Sequence, residues 1–126
     1  MTRLLTVLLG GATGALLRYG TGLLVSHYAG ASFPWATWAV NLIGCVLIGA
    51  AVPLLGALHL GEEARLFLVV GLLGSFTTFS TYSLDTLALL GDGQGGAAFA
   101  NAAGSLILGL VCVGGGRALA DWMLAG

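Results

Sequence analysis

Polar side chains lie inside otherwise apolar stretches of this 126-residue sequence, and they are the groups that could do chemistry. Thr37 and Asn41 are four residues apart, as are Asn101 and Ser105, so each pair shares one face of a helix. The densest group is the run 71–83, GLLGSFTTFSTYS. Hydroxyl and amide hydrogens can donate to an anion, and the edges of aromatic rings are positive. These residue types favour recognition of an anion by uncharged groups.

The segment 74–83 is a poor continuous helix. Gly, Ser and Thr are weak helix formers, and Ser and Thr hydroxyls compete for main-chain carbonyls. A break inside a membrane is tolerated only where the freed main-chain groups face protein or a wet cavity, and such breaks often hold ions. The alternative is ordinary packing of small hydroxyl residues between helices. The pattern alone leaves both interpretations open.

Three aromatic residues in this segment, Phe76, Phe79 and Tyr82, recur at every third position. They would fall near one face of a continuous helix. Plain packing explains many such stripes, whereas an anion path would use their ring edges. The spacing by itself does not decide between packing and permeation.

The composition sets the class of protein. Hydrophobic residues make up 58% of the chain, charged residues 7%, and the net charge is −1. A soluble domain carries about 25% charged residues, so a soluble globular fold is excluded, and the apolar content excludes disorder. The chain has no cluster of basic residues, which argues against binding of nucleic acid. A polytopic membrane protein remains.

Four stretches are long and apolar enough to cross a membrane, for which about 20 residues are needed. They cover residues 4–25, 35–58, 66–90 and 97–118. Residues 27–34, 59–65 and 91–96 read as short connections, and no room is left for a soluble domain. The sequence therefore predicts an all-α membrane protein with one four-helix transmembrane domain over residues 1–126.

The charges specify the orientation weakly. Arg3, Arg65 and Arg117 fall on the side of the two termini and the middle connection, which favours cytoplasmic termini. The margin is thin enough that the chain could insert in both directions. The first apolar run exceeds the core of a signal peptide and three more spans follow, so we expect it to be retained.

Metal and catalytic signatures are not expected. Cys45 and Cys112 each lie inside a span and read as small packing residues. His27 and His59 fall in connections on opposite sides of the membrane, where they cannot share a metal. No nucleophile has a base at usable spacing, so the chain is not expected to be an enzyme.

Transport is the function class that these features favour, by an oligomer. Gly10 and Gly14 have the spacing that lets membrane helices approach closely, and a dimer is the simplest closed assembly. A small dual-topology exporter of cations or drugs is the main competitor, but a proton-coupled carrier needs a carboxylate at mid-depth and Asp85 lies near a span end. A non-transporting packing subunit is the third alternative.

Three segments resemble the Fluc/CrcB family of fluoride channels. They are 10–19 (GGATGALLRY), 33–44 (FPWATWAVNLIG) and 71–82 (GLLGSFTTFSTY), and the last is the most specific. With the length and the four-span layout, the resemblance extends over nearly the whole chain. It implies a fluoride channel of the plasma membrane that passes fluoride passively down its gradient and so lowers toxic cytoplasmic fluoride. It also implies an antiparallel, dual-topology dimer with two pores, formed by two copies of this chain or with a paralogous subunit.

The resemblance also implies roles for individual residues. It implies a structural, non-transported Na⁺ at the dimer centre, held by the main-chain carbonyls of Gly74 and Thr77 where the third helix is broken mid-membrane. It places Arg18 in a vestibule that attracts anions. The residues it implies for the fluoride path are the amide of Asn41, the paired aromatic residues Phe79 and Tyr82, and a polar track of Thr37, Thr81 and Ser105.

Three positions depart from the family pattern. Ser75 replaces the second residue of a Gly-Gly pair, and Tyr82 stands where Phe is usual. Asn101 stands where an aromatic residue is common, so the pore residues of the fourth span are the least defined.

Overall fold

The regular structure of the chain is helical throughout the residues that a computed structural model describes, 1–30 and 32–126. The long helices are α1 (Thr2–Ala29), α2 (Trp35–Ala57) and α6 (Gly95–Ala125). Between α2 and α6 come α3 (Glu62–Arg65), a π-helical segment π1 (Leu66–Leu73), α4 (Gly74–Phe76) and α5 (Phe79–Gly91). The prediction of an all-α fold is confirmed.

Three helical stretches in the described part of the chain are long and apolar enough to cross a membrane. They are Trp35–Ala57, Glu62–Gly91 and Gly95–Ala125. The first helix, α1, is not among them, although it is 28 residues long, because Arg, Thr, Gly and Tyr residues interrupt its apolar character. By length and composition, the described helices therefore include three of the four predicted spans.

Helix ends differ from the predicted boundaries by four residues or more in three places. The predicted connection 59–65 is shorter than expected, because Glu62–Arg65 is helical. α1 continues through His27 to Ala29, so the expected connection 27–34 is shorter, and its residue Ala31 lies outside the described residues. α6 continues to Ala125, seven residues beyond the predicted end of the fourth span. The predicted connection 91–96 is reduced to residues 92–94, a tight turn in which Gly93 has φ 74°, a conformation that glycine adopts without strain.

Glycines bring the helices together in two seams. Gly10 and Gly14 of α1 are buried against π1, where a Cβ on Gly10 would lie 2.5 Å from the carbonyl oxygen of Phe67. Gly49 of α2 and Gly116 of α6 face the main chain of each other's helix, at Val113 and Val46. Membrane helices associate by close packing rather than by a hydrophobic driving force, so small residues at a seam stabilise it directly. The predicted role of Gly10 and Gly14 in close approach is confirmed.

Candidate functional site

The helix that begins at Glu62 is interrupted at two residues. Thr77 has φ −81° and ψ 162°, and Thr78 has φ −149° and ψ 116°, so both are extended. The hydroxyl of Thr78 then caps the new helix α5, since it accepts a hydrogen bond of 3.2 Å from the N–H of Thr81. The interruption lies within the segment 74–83, whose composition disfavours a continuous helix.

Asn41 of α2 holds the extended residue. Its Nδ2 donates to the carbonyl oxygen of Thr78 at 3.0 Å, and its Oδ1 accepts from the N–H of Thr78 at 2.8 Å. Two main-chain groups that have lost their helical partners are thereby satisfied by one side chain. Asn41 is therefore a structural partner of the interruption in addition to being a candidate donor to an anion.

A glycine allows α2 to come close enough for this pairing. Gly44 lies one turn after Asn41, and a Cβ at this position would collide with the Cγ2 methyl of Thr77. The absence of a side chain at Gly44 therefore lets the extended residues pack directly on α2.

The end of α4 exposes main-chain carbonyls. Within the described residues, no main-chain N–H donates to the carbonyl oxygens of Gly74 or Thr77. Uncharged carbonyl oxygens are the ligands that hard cations prefer, so the donor set fits Na⁺. The carbonyl of Thr77 also accepts a hydrogen bond of 3.3 Å from Nη1 of Arg18, which puts the guanidinium beside the interruption.

A groove of about 400 Å³ lies beside the interruption, and six of the nine predicted site residues line it. These are Asn41, Gly74, Thr77, Phe79, Tyr82 and Ser105. The other lining residues are apolar or small, apart from Thr78 and Cys45, and no charged side chain is among those described. Thr37, Thr81 and Arg18 do not line the groove.

The aromatic residues separate into two environments. The rings of Phe79 and Tyr82 lie 5.5 Å apart at 39°, and Phe79 is 79% exposed. Phe76 precedes the interruption and is buried in the core. The three rings would share one face only in a continuous helix, and the extended residues Thr77 and Thr78 between Phe76 and Phe79 show that this condition is not met.

The hydroxyl of Tyr82 makes a hydrogen bond to a neighbouring helix. It donates to the carbonyl oxygen of Ala102 in α6 at 3.3 Å. This bond ties α5 to α6 and fixes the plane of the ring next to Phe79. The difference between Tyr and Phe at this position is thus used for packing between helices.

Thr37 forms a contact outside the groove. Its hydroxyl donates to Oδ2 of Asp85 at 2.6 Å, and Thr37 is buried. The contact joins the first turn of α2 to the middle of α5. Thr81 is exposed on α5, where its hydroxyl accepts from Thr78 at 2.9 Å.

Asn101 is the centre of a buried network that the sequence did not reveal. Its side chain is fully buried, its Oδ1 accepts from Nε1 of Trp38 at 2.7 Å, and its Nδ2 donates to Oγ1 of Thr86 at 2.7 Å. The Nδ2 also contacts the carbonyl oxygen of Tyr82 at 3.4 Å. The available signal was a polar residue in an apolar span, but the sequence alone names no partner on other helices.

Other candidate ligands do not assemble. No group of three or more His, Cys, Asp and Glu side chains able to hold a metal occurs in the described residues. Cys45 lines the groove, and both it and Cys112 are free and half-buried. His27 belongs to the last turn of α1 rather than to a connection.

The groove can act on an ion only through neutral groups. It offers an amide, hydroxyls and the edges of aromatic rings as positive partners, and carbonyls as negative ones. The described residues that line it include no charged side chain. This arrangement suits the binding and passage of a small ion.

Comparisons with known proteins agree on one family. A family model described as CrcB-like protein, Camphor Resistance (CrcB), matches residues 5–117. A protein of Thermus thermophilus named fluoride-specific ion channel FluC is 56% identical over 110 residues, which cover 87% of this chain and 88% of the relative. Proteins of the same name from Salinibacter ruber and Phocaeicola vulgatus are 45% and 42% identical, over 100% and 98% of this chain and 95% and 98% of the relatives.

Proposed function

Because the chain belongs to the CrcB-like family, we propose that it is a fluoride-specific ion channel. It is an integral, multi-pass membrane protein and not an enzyme. The observation that carries the proposal is the groove at the helix interruption, where Asn41, Phe79, Tyr82 and Ser105 meet without a charged side chain. Relatives over nearly the full length of the chain carry the name of fluoride channels.

The chemistry of fluoride explains why neutral donors would suffice. Fluoride is small and strongly hydrated, so its water must be replaced by several close donors. The amide of Asn41, the hydroxyl of Ser105 and the ring edges of Phe79 and Tyr82 are donors of this kind. Conduction needs sites that bind the ion weakly enough to release it, and neutral donors are sites of this kind. A narrow file of these groups would exclude the larger chloride.

The direction of transport would be set by the electrochemical gradient of fluoride, since the described residues that line the groove include no charged side chain that could couple transport to another ion. A channel passes fluoride down its electrochemical gradient, and in a cell with a negative interior this gradient drives the anion outward. The protein would therefore lie in the plasma membrane and lower cytoplasmic fluoride. Thr81 and Arg18, outside the groove, would line the approach to it, and Arg18 would attract the anion. Thr37 would take part only after its buried hydroxyl leaves Asp85.

A second copy of the chain would complete the pore. Phe79 lines the groove, yet 79% of its surface is exposed in the single chain. One side of the groove is therefore open to a second subunit. We propose an antiparallel, dual-topology dimer in which each subunit spans the membrane four times, with α1 as the fourth span and the interruption at Thr77 and Thr78 at mid-depth. A paralogous subunit in place of the second copy would serve the same purpose.

The proposal also includes a structural Na⁺ at the dimer centre. The carbonyl oxygens of Gly74 and Thr77, which lack main-chain donors within the described residues, would hold it. Such an ion would neutralise the negative ends of the two interrupted helices and would stay in place. Replacement of all Na⁺ by a bulky organic cation should then lower fluoride flux, whereas an unchanged flux would speak against the ion.

Efflux from liposomes tests the function and its alternatives. The purified protein is reconstituted with potassium fluoride inside, and a fluoride electrode follows efflux after a potassium ionophore removes the opposing voltage. Fast efflux of fluoride but not of chloride, without a coupling ion, is the expected result. Exchange of cations driven by a proton gradient would instead favour a small exporter that uses Asp85, and no flux of any ion would favour a packing subunit.

A further inference from the structure

We infer that the main-chain peptide groups of Thr78 fix the orientation of the Asn41 carboxamide, and so make this residue select for an anion. The inference rests on the proposed fluoride channel function and adds a positioning group to it. The carboxamide has a negative end, Oδ1, and a positive end, the Nδ2 hydrogens. A freely rotating carboxamide would present either end to an ion in the groove.

The geometry at Thr78 permits only one arrangement of two bonds. Thr78 is extended, with φ −149° and ψ 116°, so its N–H and C=O point to the same side, as in a residue of an antiparallel pair. Oδ1 of Asn41 faces this N–H at 2.8 Å, and Nδ2 faces this carbonyl oxygen at 3.0 Å. One side chain thus pairs with both groups of a single residue.

The pairing also fixes which end of the carboxamide faces the N–H of Thr78 and which end faces its carbonyl oxygen. A flip by 180° would put Oδ1 against the carbonyl oxygen of Thr78 and Nδ2 against its N–H. Both hydrogen bonds would be lost and two repulsive contacts would replace them, at a depth where water does not compensate. The N–H and C=O of Thr78 therefore discriminate between two orientations that have the same shape.

The atoms of Asn41 that remain without a hydrogen-bond partner determine what this side chain can offer to an ion in the groove. One lone pair of Oδ1 accepts from the N–H of Thr78, and one of the two Nδ2 hydrogens donates to its carbonyl oxygen. Asn41 lines the groove, and the second Nδ2 hydrogen has no acceptor among the described residues. The peptide groups of Thr78 thus fix the position of a free N–H donor, which an anion in the groove can use.

An ester in place of one peptide bond tests this idea and leaves every side chain unchanged. The full chain is assembled with the α-hydroxy analogue of threonine at position 78, so that an ester oxygen replaces the N–H of Thr78. The control carries an ester at Leu87, an exposed residue inside α5 and outside the groove, and loses one helical main-chain donor. Fluoride efflux from liposomes, dimer elution and thermal midpoint are measured for wild type and both esters.

We expect the ester at Thr78 to lower fluoride flux per folded protein about tenfold relative to the Leu87 ester, which corresponds to about 1.4 kcal/mol, close to one hydrogen bond. The thermal midpoints of the two esters should be similar, since each lacks one main-chain donor. Equal flux in the two esters, or a loss at Thr78 that only follows the folded fraction, would overturn the inference. The ester at position 78 also turns the carbonyl of Thr77 into a weaker acceptor, so a loss of flux that excess Na⁺ reverses would be assigned to that carbonyl and would overturn the inference as well. If the wild-type protein itself carried no fluoride, the proposed function would fail instead.

Discussion

The buried contact between Trp38 and Asn101 should be energetically coupled, and a double-mutant cycle can measure the coupling. Nε1 of Trp38 donates to Oδ1 of Asn101 at 2.7 Å, and Asn101 has no exposed surface. Trp38→Phe removes the donor and keeps an aromatic ring. Asn101→Leu removes the acceptor and keeps a side chain of similar size.

Trp38→Phe leaves Oδ1 of Asn101 without its donor, whereas Asn101→Leu leaves Nε1 of Trp38 without its acceptor and also removes the bond to Oγ1 of Thr86. An unsatisfied buried donor or acceptor costs about 1–3 kcal/mol. The double variant removes both partners together, so it should be less destabilised than the sum of the single variants. Coupling energies for neutral pairs measured in a membrane protein average about 0.6 and reach about 1.7 kcal/mol. Since the bond is short and its acceptor Asn101 is fully buried, we expect a coupling energy of about 1–1.7 kcal/mol.

Unfolding in mixed micelles, followed by far-ultraviolet circular dichroism, gives the free energy of unfolding of all four proteins. Circular dichroism is chosen because Trp38→Phe changes the tryptophan fluorescence. Additivity within about 0.3–0.5 kcal/mol is the behaviour of residues that do not interact. Such a result would refute the view that the Asn101 network joins α2 to α6 through this bond.

Three further outcomes are expected. Gly49→Ala should destabilise the protein by about 1–3 kcal/mol, because the added Cβ meets the main chain of α6. Gly56→Ala, which adds a Cβ in open space, is the control, and its thermal midpoint should stay close to that of the wild type. Gly44→Ala should reduce fluoride efflux by displacing Thr77, and addition of Thr77→Ser, which removes the obstructing methyl, should restore it; no recovery would contradict the steric argument. Phe79→Ile should suppress fluoride efflux while the dimer still elutes intact, and normal efflux would remove Phe79 from the path.

The apolar runs predicted the helices well because lipid imposes a single solution on the main chain. Every main-chain group must be paired within the membrane, so long apolar runs become helices whatever their neighbours are. The ends of α1 and α6 were placed too early, since helices can continue past the apolar core into polar residues such as His27. The π-helical conformation of Leu66–Leu73 could not be predicted from the sequence, because its residues are apolar ones that also form α-helices.

The candidate site was predicted in its residue types but not in its contacts. Asn41, Ser105 and Tyr82 were predicted as site residues because a polar group inside a membrane must face protein, water or a ligand. All three line the groove. The pairing of Asn41 with Thr78 and the network around Asn101 depend on which helices are neighbours. Helix adjacency is a property of the folded chain, and no spacing within one helix encodes it.

The extended residues Thr77 and Thr78 owe their conformation to a side chain of another helix. A synthetic peptide with the sequence of Glu62–Gly91 would carry the same glycines, serines and threonines but no asparagine to satisfy the N–H and C=O of Thr78. In a micelle, where an unpaired peptide group is costly, such a fragment should populate a continuous helix more than the whole chain does, although its composition still disfavours one. The pairing that stabilises the extended conformation of Thr78 therefore exists only once α2 lies beside it.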